Sequence, residues 1–408
     1  MFREMKEASK VLMAKTTGDK DKTLRVLADN LLKNKELIFA ENKKDLEVAE
    51  KNGLASSLVD RLVINEKRLN DMVAGVHDII AQDDPVLTVE KGYQRPNGLI
   101  IHKVRVPIGV IGIIYESRPN VTIDAAALCI KSGNCAFLRG GKEARYSNAV
   151  LGKILKESLM QTGLPENCVE TVYDPDKTVM MRLLKAKDYV DMIVPRGGDG
   201  LISFVSENSL IPVVKHDKGI CHVYIDKTAN PEMAVNIAYN AKVQRPGVCN
   251  AMETLLIHKD NPYKILDKLV PLYKKADVIL KGTRDIAETY GIELAQDEDW
   301  ETEYLDLILS IKTVGSMNEA VQHINTYGSM HSEAIVTEDY KTARDFMNAV
   351  DAAAVYVNAS TRFTDGAEFG LGAEIGISTQ KLHCRGPMGA YDLTTTKYMV
   401  YGNGQVKD

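Results

Sequence analysis

The pattern of hydrophobic and polar residues changes near residue 86. Before that point, apolar residues such as Leu24, Leu27 and Leu31 recur at helical spacing, with lysine and aspartate between them. Short turn signals interrupt the pattern twice. Residues 1–85 are therefore predicted to form several helices.

Beyond residue 86 short apolar runs alternate with helical patterns. Runs at 86–89 and 99–104 flank Arg95-Pro96-Asn97-Gly98, a sequence typical of a hairpin turn. A first series predicts strands at 110–115, 136–138, 169–173 and 190–194, with helices at 124–131, 147–162, 178–186 and 201–207. A second series predicts strands at 223–225, 254–257, 307–312, 334–336 and 354–357, with a helix at 231–243.

The predicted strands are continuously apolar rather than alternating, which is typical of parallel sheets covered on both faces. A chain of 408 residues is also too long for one core, because single cores stop growing near roughly 250–300 residues. The predicted fold class is therefore α/β, with two parallel-sheet domains and a small β element.

Charge and cysteine content narrow the function classes. The chain carries 51 basic and 56 acidic residues, which gives no footprint for nucleic acid or an anionic membrane. The charged N-terminus has no signal-peptide core, and the longest apolar stretch, 106–115, is far short of the ~20 residues that span a bilayer. Six scattered cysteines indicate neither a disulfide framework nor a metal site, and a cytoplasmic location is expected.

One cysteine stands in an unusual setting. In Gln244-Arg245-Pro246-Gly247-Val248-Cys249-Asn250 a Pro-Gly turn delivers Cys249 just after a predicted helix. Backbone N–H groups at such a turn can lower the pKa of a thiol and stabilise an oxyanion. Packing in the core is the alternative role, and we assign it to Cys129, Cys135 and Cys168, which lie in or beside apolar patterns.

Three further segments follow strands of the first series. Tyr115-Glu116-Ser117-Arg118-Pro119-Asn120 lies at a strand end, where open α/β sheets bind ligands, although Pro119-Asn120 could simply cap the next helix. Pro195-Arg196-Gly197-Gly198 leads into a helix whose N-terminus favours a phosphate. Leu138-Arg139-Gly140-Gly141-Lys142 adds two positive charges, with a solvated basic loop as the alternative.

In their order along the chain these segments resemble the aldehyde dehydrogenase superfamily, most closely its γ-glutamyl phosphate reductase branch. The resemblance covers nearly the whole chain and is carried by residues 107–112, 125–134, 195–198, 244–251 and 368–376. It implies an NADP-binding domain at 1–92 and 107–226, a catalytic domain at 227–383, and an oligomerisation hairpin and tail at 93–106 and 384–408.

The resemblance also implies roles for single residues. Cys249 matches the nucleophile, and Asn120 matches the asparagine that stabilises the oxyanion together with the Cys249 backbone N–H. Arg139 or Lys142 is expected to bind a 2′-phosphate, which favours NADPH over NADH. Arg196, Gly197 and Gly198 match the pyrophosphate site, and Glu303 matches the glutamate that contacts the nicotinamide ribose.

One departure from the family favours reduction. Oxidising aldehyde dehydrogenases carry a glutamate ahead of the cysteine that activates water, whereas the equivalent residues 214–219 read Val-Lys-His-Asp-Lys-Gly. A reductase must protect its thioester from water. The expected reaction is NADPH-dependent reduction of L-glutamyl 5-phosphate to L-glutamate 5-semialdehyde through a thioester, in L-proline biosynthesis.

The substrate's phosphate and α-carboxylate call for cationic partners. Arg118, Arg245, Arg362 and Arg385 are the candidates, although each could equally form a structural ion pair. Two alternatives remain open, an NAD(P)-dependent dehydrogenase that oxidises a small aldehyde and a non-catalytic α/β protein. A homo-oligomer, dimer or tetramer, and functional coupling to glutamate 5-kinase are also expected.

Overall fold

A computed structural model describes residues 1–173, 177–215, 218–261 and 264–407 of the chain. Two compact units compose it. Unit 1 contains Met1–Lys215, Gly370–Gly376 and Met388–Asp408, and unit 2 contains His216–Phe369 and Ile377–Pro387.

Unit 1 begins with the predicted helical region and continues into a parallel sheet. Its helices are α1 (Phe2–Met13), α2 (Thr17–Lys33), α3 (Lys35–Lys51), α4 (Ser56–Leu62), α5 (Glu66–Ala81), α6 (Asn120–Lys131), α7 (Arg145–Gln161), α8 (Lys177–Leu184) and α9 (Asp199–Asn208). Its first strands are β1 (Val89–Gln94), β2 (Ile100–Pro107), β3 (Val110–Tyr115), β4 (Cys135–Arg139), β5 (Val169–Val172) and β6 (Met192–Arg196). Strands β3 to β6 form a four-stranded parallel sheet in the order β5-β4-β3-β6.

Local sequence explains several of these elements. Thr16 and Asp19 form a capping box that starts α2, each side chain accepting a hydrogen bond from the other residue's backbone N–H. Every residue of β3 is buried, as its continuous apolar run predicts, and each large apolar side chain buried this way contributes roughly 1.5–3 kcal/mol.

Unit 2 contains the second series of strands with helices on both faces. Its helices are α10 (Pro231–Val243), α11 (Ile265–Lys275), α12 (Arg284–Tyr290), α13 (Met317–Tyr327) and α14 (Tyr340–Ala349). Its strands are β7 (Cys221–Ile225), β8 (Met252–His258), β9 (Ile279–Gly282), β10 (Glu293–Leu294), β11 (Ile308–Val314), β12 (Ser332–Val336), β13 (Ala354–Val357), β14 (Ile377–Ser378) and β15 (Gly386–Pro387).

Strands β7 to β13 form a seven-stranded parallel sheet in the order β10-β9-β11-β8-β7-β12-β13, while β14 pairs with β15. Helices α10, α11 and α12 contribute to the larger core cluster, and α13 and α14 contribute to a second one. The prediction of two parallel α/β sheets is therefore confirmed.

The last strand, β16 (Thr394–Tyr401), returns to unit 1 and pairs antiparallel with β2, which also pairs with β1. The buried side chain of Asn134 fixes the start of this tail. It accepts a hydrogen bond from Gly109 N at 2.8 Å and donates one to the Leu393 carbonyl at 2.7 Å.

The structure departs from the sequence predictions at several boundaries. The first hairpin strand is Val89–Gln94 rather than 86–89, because every residue of β1 is exposed and no apolar pattern marks it. Helix α6 begins at Asn120 rather than 124, since its first turn contains β-branched residues of modest helix propensity. Strand β7 lies in unit 2 because it pairs with β8 and β12, whereas the predicted domain boundary after 226 placed it in the first domain.

No helix among the described residues combines the length and apolarity needed to cross a membrane.

Candidate active site

The parallel sheet of unit 1 brings the predicted cofactor residues to one edge. Ile114 of β3 pairs with Arg139 of β4, and Tyr115 pairs with Arg196 of β6. Because carboxyl ends of parallel strands lie side by side, the segments that follow these three strands share this edge. Arg139 and Arg196 end β4 and β6, and the following segments carry Arg118, Asn120, Lys142, Gly197 and Gly198.

Asn120 is the first residue of α6 and is exposed. Its Nδ2 donates a hydrogen bond of 2.9 Å to Asp124 Oδ2, one turn further along the helix. Pro119 is the N-cap, and no side chain caps this helix. The alternative in which Pro119-Asn120 caps this helix therefore holds for the position of Pro119, although no side-chain hydrogen bond makes the cap.

Gly197 and Gly198 connect β6 to α9, as predicted. Gly198 N donates a hydrogen bond of 3.0 Å to Glu116 Oε2, so a carboxylate accepts from the N-terminus of this helix. A Cβ on Gly197 would lie 2.7 Å from the Glu116 carboxyl carbon, whereas a Cβ on Gly198 would meet nothing within 4 Å. Glycine at 197 therefore permits the close approach of an oxygen anion to this backbone.

The basic residues of unit 1 have different surroundings. Lys142 is exposed in a short 3₁₀ turn, and Arg139 at the end of β4 is partly buried. The Arg139 Nε is buried and has no hydrogen-bond partner among the described residues. Arg118 is partly buried between β3 and α6. The guanidinium of Arg196 lies 3.9 Å from the Glu374 carboxylate and forms an ion pair with it.

Cys249 lies in a turn of unit 2 between α10 and β8. All six cysteines fall within the described residues, and Cys249 alone is partly exposed while the other five are buried. Asn250 anchors the turn: its Nδ2 donates to the Thr364 carbonyl at 2.8 Å, and its own carbonyl accepts from Thr361 Oγ1 at 2.8 Å. The partly exposed Cys249 therefore lies on a backbone that the hydrogen bonds of Asn250 hold in place.

Two residues missed by the sequence reasoning also hold this turn. Gly219 packs so closely that a Cβ there would lie 2.6 Å from the Cys249 carbonyl carbon. The buried Cys221 Sγ donates a hydrogen bond of 3.1 Å to the Cys249 carbonyl. Burial raises the pKa of the Cys221 thiol well above its ordinary value, so it remains a neutral donor. The sequence gives no signal for these contacts because they join segments about thirty residues apart.

Two predicted substrate arginines share the surroundings of Cys249. Arg362 is partly buried and its Nε donates a hydrogen bond of 2.9 Å to Gln244 Oε1, while Arg245 is exposed. The pKa of Arg362 is lowered from its ordinary value, first by burial and next by the positive charge of Arg245, whereas Cys249 raises it. The three groups are thus within electrostatic reach of one another, and two positive charges favour a thiolate.

Glu303 lies beside the same turn. Its Oε1 accepts a hydrogen bond of 2.9 Å from Gly219 N. Two residues further on, Leu305 N donates to Glu253 Oε1 at 3.2 Å, and the buried Glu253 pairs with Lys242 at 2.6 Å. The segment that carries Glu303 is therefore attached to α10 and β8, the elements that flank Cys249.

The fourth predicted substrate arginine has another setting. Arg385 Nη1 lies 2.9 Å from Asp351, which also pairs with Lys381. This is the structural ion pair that the sequence left open for each arginine. Within the segment 214–219, His216 and Asp217 lie outside the described residues. No group of three or more potential metal ligands occurs among the residues that are described.

Comparison with known proteins places these features in a family. The sequence model of the aldehyde dehydrogenase family matches residues 3–286. The γ-glutamyl phosphate reductase of Nautilia profundicola is 54% identical over 408 residues, covering 100% of this chain and 99% of the relative. The enzyme of the same name from Clostridium tetani is 51% identical, covering 99% of this chain and 97% of the relative.

Solved structures agree. The crystal structure of the γ-glutamyl phosphate reductase from Thermotoga maritima has a TM-score of 0.97 and 44% identity, covering 100% of this chain and 99% of that one. An acetylating aldehyde dehydrogenase from Geobacillus thermoglucosidasius, at 19% identity and a TM-score of 0.70, shares the fold. The chain therefore belongs to the aldehyde dehydrogenase family and, within it, to the γ-glutamyl phosphate reductases.

Proposed function

We propose that the protein reduces L-glutamyl 5-phosphate to L-glutamate 5-semialdehyde with NADPH, releasing phosphate, as a step of L-proline biosynthesis. The names of its relatives support this substrate. The observation that carries the proposal is the setting of Cys249, a partly exposed thiol on an anchored turn close to Arg245 and Arg362. Such a setting suits attack on an acyl carbon that bears an anionic leaving group.

In the first step the Cys249 thiolate attacks the acyl carbon and the carbon–oxygen bond to phosphate breaks, which leaves a thioester on Sγ. Arg245 and Arg362 stabilise the negative charge of the departing phosphate. The anchored turn keeps Sγ in place during the attack, since Asn250, Gly219 and Cys221 restrain the backbone of the nucleophile.

The residues of unit 1 fit a nicotinamide dinucleotide phosphate. Gly197 and Gly198 offer an anion-binding helix N-terminus, Arg139 and Lys142 would hold the 2′-phosphate, and Glu303 of unit 2 would hold the nicotinamide ribose. When bound, this cofactor supplies the hydride that reduces the thioester. The Asn120 amide and the Cys249 backbone N–H stabilise the resulting oxyanion on the acyl carbon. Its collapse releases the aldehyde and restores the thiolate.

The α-carboxylate of the substrate requires a further cation. Arg118 is the remaining candidate at the ligand edge of unit 1. Arg385 has Asp351 as an ionic partner and is the weaker choice.

The reverse reaction tests the proposal, because the acyl phosphate is short-lived. Purified protein receives L-glutamate 5-semialdehyde, NADP⁺ and phosphate while NADPH absorbance is followed. Activity is expected to require phosphate, to vanish in Cys249→Ala and to survive in Cys168→Ala, a buried cysteine of unit 1. Turnover without phosphate would instead establish an aldehyde-oxidising dehydrogenase.

Cofactor preference is tested separately. Arg139→Ala and Lys142→Ala should raise the KM for NADP⁺ and leave the KM for NAD⁺ unchanged. Lys153→Ala, which removes an exposed lysine of α7, is the matched control. An equal effect on both cofactors would contradict a 2′-phosphate site.

We also propose a homo-oligomer assembled through the sheet β1-β2-β16. Its outer strands expose Tyr398, Val400 and Tyr401, and such edges are usually paired or covered. Light scattering at micromolar concentration should show a dimer or tetramer, and a monomer would refute this assembly. Because acyl phosphates hydrolyse readily, functional coupling to glutamate 5-kinase is expected.

If the kinase passes its product directly to the reductase, a large excess of inactive reductase should compete and lower the turnover of the coupled reaction. An unchanged turnover would argue against this direct transfer.

A further inference from the structure

Asn120 has a specific intramolecular partner that the family resemblance does not supply. The 2.9 Å hydrogen bond from its Nδ2 to Asp124 Oδ2 links two residues one helical turn apart, which therefore share a face of α6. An ionised carboxylate accepts hydrogen bonds and cannot donate them. The carboxamide must then present its nitrogen to Asp124, and this contact uses one of the two Nδ2 hydrogens.

Asp124 occupies a position that helix stability does not explain. It is the fifth residue of α6, beyond the first turn in which carboxylates stabilise unsatisfied N–H groups. Its neighbours Ile123, Ala125 and Ala126 are buried, and a partly buried carboxylate among such residues carries a desolvation cost. A specific interaction is needed to offset that cost.

Burial opposes the charged form of Asp124, and two neighbouring groups support it. Burial raises the pKa of Asp124 from its ordinary value to about 6, while the bond from Asn120 and the positive charge of Arg196 oppose this shift. Arg196 comes from β6 and is itself 3.9 Å from Glu374. From α5, Gly75 faces Asp124, since a Cβ built on this glycine would lie 3.9 Å from Asp124 Oδ1. Near neutral pH Asp124 is therefore mostly an ionised acceptor, and the positive charge of Arg196 stabilises it.

We propose that Asp124 is a positioning residue that fixes the Asn120 carboxamide in the orientation that presents an N–H to the developing oxyanion. This inference rests on the proposed function, in which Asn120 stabilises that charge. A rotated carboxamide would direct its carbonyl oxygen at the oxyanion and oppose the reaction. Asp124 prevents the rotation because only the amide nitrogen can donate to it.

The test is a double-mutant cycle on the reverse reaction with Asp124→Leu, Asn120→Ala and the double variant. Removing one oxyanion donor costs about 10²–10³ in kcat, so Asn120→Ala should fall in this range. Asp124→Leu should lower kcat by roughly tenfold with both KM values nearly unchanged, since misorientation removes part of one donor's effect. The double variant should be no slower than Asn120→Ala alone.

Two further variants complete the cycle. Asp124→Asn keeps the size of the side chain but adds N–H donors that can also bond to a rotated Asn120, so its kcat should lie between those of the unaltered protein and Asp124→Leu; it also serves if Asp124→Leu fails to fold. Asp45→Asn is the matched control, because Asp45 is a buried carboxylate of unit 1 that bonds to Ser147 and Tyr146 and not to Asn120. Its effect on kcat should multiply with that of Asn120→Ala.

The outcomes separate the claims. The positioning role would be overturned if the kcat of the double variant fell by the product of the two single losses. An unchanged kcat in Asp124→Leu would overturn it as well. Either result would leave the proposed function intact. Full activity of Asn120→Ala would remove the oxyanion role and the inference with it. Absence of phosphate-dependent turnover in the unaltered protein would refute the proposed function itself.

Discussion

Replacing Gly219 by alanine tests how closely the nucleophile's turn is held. The added Cβ would lie 2.6 Å from the Cys249 carbonyl carbon, whereas ordinary contacts begin at 3.4 Å. The two backbones must therefore separate by about 1 Å, because a backbone atom, unlike the end of a flexible side chain, cannot rotate away. The same movement would lengthen the bond from Gly219 N to Glu303.

A misplacement of about 1 Å costs around 100-fold in rate, equivalent to about 2.7 kcal/mol of transition-state stabilisation. Overpacking should also lower the free energy of unfolding by about 1–3 kcal/mol. We therefore expect Gly219→Ala to remain folded at 25 °C and to show kcat/KM reduced about 100-fold in the phosphate-dependent reverse assay.

Circular dichroism and urea unfolding run beside the assay separate loss of fold from displacement of the thiol. Gly18→Ala is the matched control, because a Cβ at this position in α2 would make one ordinary contact of 3.8 Å, with the Thr16 side chain. It should keep full activity and gain about 0.5–1 kcal/mol of stability from helix propensity. If Gly219→Ala retained kcat/KM within twofold, close packing would not be what positions Cys249.

Three other predictions follow from contacts described above. Brief treatment of the native protein with iodoacetamide should alkylate Cys249 and no buried cysteine, and labelling of another cysteine in the native state would contradict the burial. Cys221→Ala should keep this labelling pattern and lower the free energy of unfolding by about 1 kcal/mol. Asn134→Ala should lower the free energy of unfolding by about 3 kcal/mol in urea, since it leaves a buried N–H and a buried carbonyl without partners; a loss below 1 kcal/mol would contradict this. As the pH falls through about 6, Asp124 becomes protonated and can donate to the Asn120 oxygen, so kcat should fall below this pH. An identical fall of kcat in Asp124→Leu would assign the effect to another group.

The sequence was informative wherever the physics is local. Strand β3 is six apolar residues long and wholly buried, so its pattern alone predicted a covered parallel strand. Strand β1 has no buried residue, and its sequence therefore carries no period-two signal. Helix α14 was not predicted for a similar reason, because Phe346 is its one residue that the structure buries.

The candidate site divides in the same way. Cys249 and the glycines at 197 and 198 could be found because a Pro-Gly turn and a strand–glycine–helix sequence are local signals. Gly219 and Cys221 could not, since their importance arises from contact with a carbonyl that belongs to another segment. The bond between Asn120 and Asp124 has the spacing of a helix pair, yet the predicted helix began only at 124, so the pair was not visible as one.

The return of strand β16 to unit 1 has a consequence for synthesis of the protein. Its pairing with β2 joins Thr394 to Pro107 and Tyr401 to Ile100, so nearly the whole of unit 2 is translated between the two partners. Unit 2 can form its parallel sheet before β2 pairs with β16. The long sequence separation between these two strands slows folding. Until residues 394–401 leave the ribosome, one edge of β2 has no partner strand from its own chain. A chaperone that shields strand edges should therefore bind once β2 has been made and remain until β16 pairs with it.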